Sequence, residues 1–86
     1  MPHYTINQRF LIQDVVSETV LLDMDKGDYF QLNEMGSIML KRLGDLGDPE
    51  AVIASLLRDY EVSREELSRD LHELIRDMEN RGVIEK

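Results

Sequence analysis

The chain has 86 residues, of which 42% are hydrophobic and 33% charged, and this balance is typical of one small globular domain. Its formal net charge of −8 at pH 7 argues against nucleic acids and anionic membranes as partners, and favours a partner that carries Lys or Arg. Without cysteine there are no disulfides, thiolate metal sites or cysteine nucleophiles, and a cytoplasmic location is expected. No apolar run reaches the length of a membrane span, and residues 1–8 lack the pattern of a signal peptide.

Three short strands are predicted in the first half of the chain. Residues 10–16 are rich in β-branched and aromatic residues, and residues 17–18 are expected to turn the chain. Residues 19–24 alternate as a strand does, and Gly27 can supply the positive φ of the next reversal. Residues 29–32 form the third strand. Consecutive strands with short turns predict an antiparallel meander, with the third strand at its edge.

Three helices are predicted in the second half. Asn33 is a good N-cap for the first helix, and Gly44 is placed to end it. Residues 48–49, Asp-Pro, provide the cap and the first position of the second helix. Residues 63–66 form a capping box at the start of the third helix, and Gly82 ends that helix.

The order β-β-β-α-α-α predicts a single α+β domain over residues 1–86, in which residues 1–8 form a less ordered N-terminal arm. The third helix carries a stripe of apolar side chains at helical spacing, namely Leu67, Leu71, Leu74, Ile75 and Met78. Such a stripe is typical of packing in the core. Part of it could also line a groove between this helix and the third strand.

The polar residues do not form a catalytic or metal-binding pattern. His3 and His72 are far apart, and neither has a second His or Cys at ligand spacing. Residues 44–48 lack the Lys and the Ser or Thr of a phosphate-binding loop. Metal or acid–base chemistry is conceivable on the third helix, but a solvated helix face is favoured for its acidic residues Asp70, Glu73 and Asp77. We therefore expect no enzymatic activity, no metal and no cofactor.

Several segments together resemble the signature of PqqD-like proteins. The matching residues are Leu21-Leu22-Asp23, Gly27-Asp28-Tyr29-Phe30-Gln31-Leu32-Asn33, Gly36, Leu67, Asp70, Leu71, Leu74 and Arg81-Gly82-Val83-Ile84. The resemblance covers about residues 10–84, whereas residues 3–8 have no counterpart in it.

This resemblance implies a winged helix-turn-helix-like fold and a recognition element for ribosomally made, post-translationally modified peptides. Such proteins bind the leader segment of a precursor peptide as an added strand and present it to modifying enzymes. The chain is most similar to stand-alone leader-binding proteins of lasso-peptide pathways, which act with a leader peptidase and an ATP-dependent cyclase. The alternative is a PqqD-type chaperone that delivers a precursor peptide to a radical SAM enzyme.

The resemblance assigns the peptide site to the third strand and the third helix. The leader is expected to pair with the strand backbone at Tyr29, Phe30, Gln31 and Leu32. Asp28, beside the strand, is also assigned to the peptide site and is expected to limit pairing between copies. The apolar floor of the groove is assigned to Leu67, Leu71, Leu74 and Met78. A basic residue of the leader would meet Asp70, with Glu73 or Asp77 as further partners.

A winged-helix DNA-binding regulator is a further interpretation, because it shares the fold class. The net charge of −8 opposes it. The second helix carries only Arg58 as a cation, which is too little for a recognition helix.

Overall fold

The structure, a computed structural model, describes residues 3–16 and 18–86. Its elements are β1 (Thr5–Ile6), β2 (Phe10–Val15), β3 (Glu18–Asp23), β4 (Tyr29–Leu32), α1 (Glu34–Leu46), α2 (Pro49–Asp59), α3 (Arg64–Arg81) and β5 (Ile84–Glu85). The three predicted strands and three predicted helices are all present, so the predicted α+β fold is confirmed. No helix within the described ranges is long and apolar enough to cross a membrane.

Strands β2, β3 and β4 form the antiparallel meander, in that order, so that β2 and β4 are its two edges. The predicted strand bounds shift by a residue or so, because β2 ends at Val15 and β3 runs from Glu18 to Asp23. The predicted turn at residues 17–18 is therefore wrong for Glu18, and Ser17 lies outside the described residues. Gly27 has a φ of 78°, as the reversal before β4 requires.

The N-terminal segment is not a loose arm, which corrects the expectation for residues 3–8. Strand β1 pairs antiparallel with β5, with Thr5 opposite Glu85. The Tyr4 side chain is buried, and its backbone N–H donates to the Gly47 carbonyl at 2.8 Å. The sequence did not reveal this because a two-residue strand has no periodicity to detect. Residues 1–2 lie outside the described residues.

Helix α1 continues past its predicted end at Gly44. It runs to Leu46, and Gly47 with a φ of 77° caps it by donating to the Leu43 carbonyl at 2.7 Å. Gly44 has a different role, because a Cβ there would lie 2.7 Å from Cδ1 of Ile6. The missing side chain of Gly44 makes room for β1 and does not end the helix.

The remaining helix boundaries follow the predicted capping residues. The Asp48 side chain accepts from Glu50 N–H, Ser63 accepts from Glu66 N–H, and Gly82 closes α3 in the left-handed conformation. The core lies between the three helices and the inner face of the meander. Its fully buried side chains are Leu21, Leu40, Leu43, Ile53, Leu56, Leu71, Met78, Val52, Val83 and Thr19.

Candidate functional site

An open groove of about 610 Å³ lies between β4, α3 and the start of α1. It is lined by Gln31, Leu32, Asn33, Met35, Gly36, Met39, Asp70, Glu73, Leu74 and Asp77. One wall of the groove is thus an edge strand and the other is a helix, the arrangement in which an extended peptide can be added to a sheet.

The hydrogen-bonding pattern of β4 shows which backbone groups face the groove. Asp23 N–H donates to the Asp28 carbonyl at 2.8 Å, which makes these two residues a hydrogen-bonded pair. Such pairs alternate along an antiparallel ladder, so Phe30 and Leu32 point their backbone groups toward β3. Tyr29 and Gln31 therefore point theirs to the free edge. This narrows the predicted four-residue backbone site to two residues with outward donors and acceptors.

The apolar floor of the groove comes largely from α1 and β4. Leu32 and Met35 are half-buried there, and Met39 lies beneath them. Asn33 caps α1 at this point, its Oδ1 accepting from Gly36 N–H at 2.8 Å. A Cβ on Gly36 would lie 3.1 Å from Asn33 Oδ1, a tight contact, so this glycine leaves room for the capping side chain. Sequence reasoning missed the two methionines because it assigned the apolar floor to the third helix.

Residues 18–84 match the family model described as coenzyme PQQ synthesis protein D (PqqD). The chain belongs to the PqqD family. This confirms the family resemblance inferred from the sequence. A comparison with curated proteins found no match.

Two solved structures share the fold of this PqqD-family chain. One is described as TbiB1 in complex with the TbiA(beta) leader peptide; it is 28% identical, covers 94% of this chain and 94% of its own, and has a TM-score of 0.85. The other is described as lasso peptide synthetase B1 complexed with the leader peptide; it is 27% identical, covers 98% of this chain and 99% of its own, and has a TM-score of 0.86.

The predicted apolar stripe divides between the core and the groove of the PqqD domain. Only Leu74 of the four predicted floor residues lines the groove, where it is half-buried. Leu67, Leu71 and Met78 are at most 3% exposed and belong to the core. The prediction that all four form the exposed floor is therefore corrected, because α3 turns most of its apolar face toward α1 and α2.

The predicted acidic residues do lie together along the α3 wall of the groove. Asp70, Glu73 and Asp77 are all exposed there. Asp77 accepts a hydrogen bond from Arg81 Nε at 3.1 Å, which partly offsets its charge. No cluster that could hold a metal ion occurs within residues 3–16 and 18–86. The wall therefore offers negative potential to a positively charged side chain.

A smaller cavity of about 150 Å³ adjoins the other end of β4. The Arg81 guanidinium lies 4.3 Å from the centre of the Phe30 ring, and joins the end of α3 to the strand. Asp28, which was predicted to belong to the peptide site, is exposed and lines this cavity and not the groove. Tyr29 is 73% exposed with its side chain on the opposite face of the sheet.

Proposed function

We propose that this protein is a non-catalytic adaptor that binds the leader segment of a ribosomally synthesised precursor peptide as an extra strand on β4. The observation that carries the proposal is the open groove beside a free strand edge. Two structural neighbours, each described as bound to a leader peptide, support it.

The groove supplies three kinds of contact to such a strand. Backbone groups of Tyr29 and Gln31 would continue the ladder, and alternate leader side chains would point toward Leu32, Met35 and Leu74. Each apolar side chain buried there contributes about 1.5–3 kcal/mol, less the cost of ordering the peptide. Two or three such anchors with the new backbone bonds are compatible with a dissociation constant of about 1 µM or below. A Lys or Arg of the leader would meet the acidic wall of α3.

Titration calorimetry with leader peptides from precursor genes beside its own gene tests the proposal. We expect one leader to bind with 1:1 stoichiometry. Leu74→Lys should weaken that binding by about 10- to 100-fold, because it removes one apolar anchor. Leu46→Lys is the matched control, since Leu46 is 43% exposed near the end of α1 and does not line the groove.

Two results would contradict this proposal. One is the failure of every neighbouring leader to bind at micromolar concentration. The other is an equal loss of affinity in Leu74→Lys and Leu46→Lys, with both variants folded by circular dichroism. Binding to duplex DNA that weakens steeply with salt would instead support the interpretation as a winged-helix DNA-binding regulator.

We further propose that the outer face of the sheet is a separate contact surface for a maturation enzyme. Leu11, Leu22 and Tyr29 lie opposite one another across the three strands and form an apolar row. Leu11 is 43% exposed. A leader strand on β4 would add every second side chain to this face, so an enzyme docked there would contact the adaptor and the leader together. We assign the face to the leader peptidase, because that enzyme must hold the leader itself.

A processing assay with the cognate leader peptidase tests this assignment. Leu11→Lys should reduce the rate of leader removal by about tenfold or more, the effect of losing one central apolar contact in an interface. Leader affinity should not change, because Leu11 lies on β2, at the far edge of the sheet from the groove. Leu46→Lys again serves as the control. If Leu11→Lys supports leader removal at the wild-type rate, this face is excluded as the contact surface for the leader peptidase.

The alternative partner is a radical SAM enzyme, as for a PqqD-type chaperone. The family model that matches residues 18–84 carries the PqqD description, which favours keeping this alternative. Pull-down of each candidate enzyme by the protein loaded with its leader distinguishes the two.

A further inference from the structure

The meander has two edge strands, and the one opposite the groove is the more exposed to unwanted pairing. Strand β2 has six residues, whereas β4 has four. Leu11 and Val15 on β2 are 43% and 52% exposed. Long apolar edge strands pair readily with other chains unless a structural feature prevents it.

An ion pair joins β2 to α1 at this edge. Lys41 Nζ lies 2.7 Å from Asp14 Oδ1, and the buried Thr19 hydroxyl donates to the same oxygen at 3.2 Å. The hydrogen bond from Lys41 is the main cause that holds the pKa of Asp14 below its usual value. The Asp14 carboxylate is thus kept ionised and turned toward the helix side of the sheet.

The pair interrupts the space beside β2. Clefts of about 430 and 230 Å³ lie on its two sides, and Asp14 and Lys41 are the residues that line both. Beside β4, a groove of about 610 Å³ is lined by Gln31 and Leu32, and the contact between Arg81 and Phe30 lies at the smaller cavity near the other end of the strand. Within the described residues no ion pair links β4 to α3.

The backbone of β2 would otherwise be available for pairing. Met24 N–H donates to the Arg9 carbonyl at 2.9 Å, and alternation along the ladder then turns the backbone groups of Ile12 and Asp14 to the free edge. A strand added there would have to cross the ion pair and bury the Asp14 charge. The cost of removing two paired charges from water can exceed their mutual attraction, so an ion pair placed beside an edge strand protects that edge.

We infer that the Asp14–Lys41 ion pair closes the β2 edge against pairing with a second copy of this chain, and leaves β4 as the acceptor edge. The closure of β2 goes beyond the proposed function and does not require that a leader binds, whereas the acceptor role of β4 rests on the proposed function.

Sedimentation velocity of the protein without any peptide tests the inference. The wild type should remain monomeric, whereas Asp14→Ala/Lys41→Ala should dimerise, with a self-association constant at least tenfold higher. Asp14→Asn/Lys41→Gln, which removes both charges but keeps polar side chains at both positions, should dimerise as well and covers the case in which the alanine variant unfolds. Asp14→Pro/Lys41→Ala should stay monomeric, because proline removes the outward N–H at position 14.

The matched control removes a different exposed ion pair. Arg64 Nη1 and Glu50 Oε2 lie 3.4 Å apart, away from both sheet edges, so Glu50→Ala/Arg64→Ala changes the charges equally and should stay monomeric. The inference is overturned if both neutral Asp14/Lys41 variants fold and remain monomeric, or if the proline variant also dimerises. A wild-type dimer that Asp14→Pro dissociates would overturn it too.

Discussion

At the scale of single residues, Asp23 fixes the turn that leads into β4. Its carboxylate accepts from the backbone N–H groups of Asp25 and Lys26 at 3.0 and 3.2 Å and lies 3.4 Å from Arg9 Nη2. Desolvation raises the pKa of Asp23, but these hydrogen bonds and Arg9 outweigh it, so the net pKa is lowered. A carboxylate with a lowered folded pKa contributes stability above its unfolded pKa, and this is lost as the pH falls through the folded value.

Asp23→Asn should therefore lower the Tm at pH 7 and reduce the dependence of the Tm on pH between about pH 5 and pH 2. Thermal melts of both proteins over this range measure the effect. Asp25→Asn is the control, because its side chain is exposed in the same turn. If Asp23→Asn and Asp25→Asn show the same dependence of the Tm on pH, Asp23 is not the source of the effect.

At the scale of secondary-structure elements, local signals located the helices and strands but not their packing. Asn33, Asp48 and Ser63 cap helices as predicted, because a cap depends on groups within a few residues of it. The predicted end of α1 at Gly44 was wrong, because this glycine packs against Ile6, a residue far away in sequence. A glycine needed for close packing and one needed for a positive φ look the same in a sequence.

The two elements that form the groove could be predicted from local sequence signals. Strand β4 and helix α3 were both recognised, and Leu74 and the acidic residues of α3 line the groove between them. Helical spacing cannot tell which side of an apolar stripe faces the core, so Leu67, Leu71 and Met78 were assigned to the surface of the groove. The contribution of Met35 depends on the angle at which α1 leaves β4, which only the assembled fold defines.

At the scale of the whole molecule, the N-terminal segment ties the two ends of the chain together. Tyr4 is 7% exposed, and β1 pairs with β5 directly after α3, so the first and last strands close the fold jointly. A domain of this size has few buried aromatic side chains to lose. Tyr4→Ala should lower the free energy of unfolding by about 3 kcal/mol, the usual cost of removing a buried aromatic ring.

Tyr29→Ala is the matched control, because the same side chain is removed from a position that is 73% exposed, and it should cost less than about 1 kcal/mol. Urea denaturation gives both values. Equal values would mean that β1 does not stabilise the domain. At urea concentrations below the unfolding transition, the leader affinity of Tyr4→Ala should be unchanged, because Tyr4 does not line the groove. The stability supplied by the joined termini and the recognition supplied by β4 and α3 can therefore be measured independently in one protein.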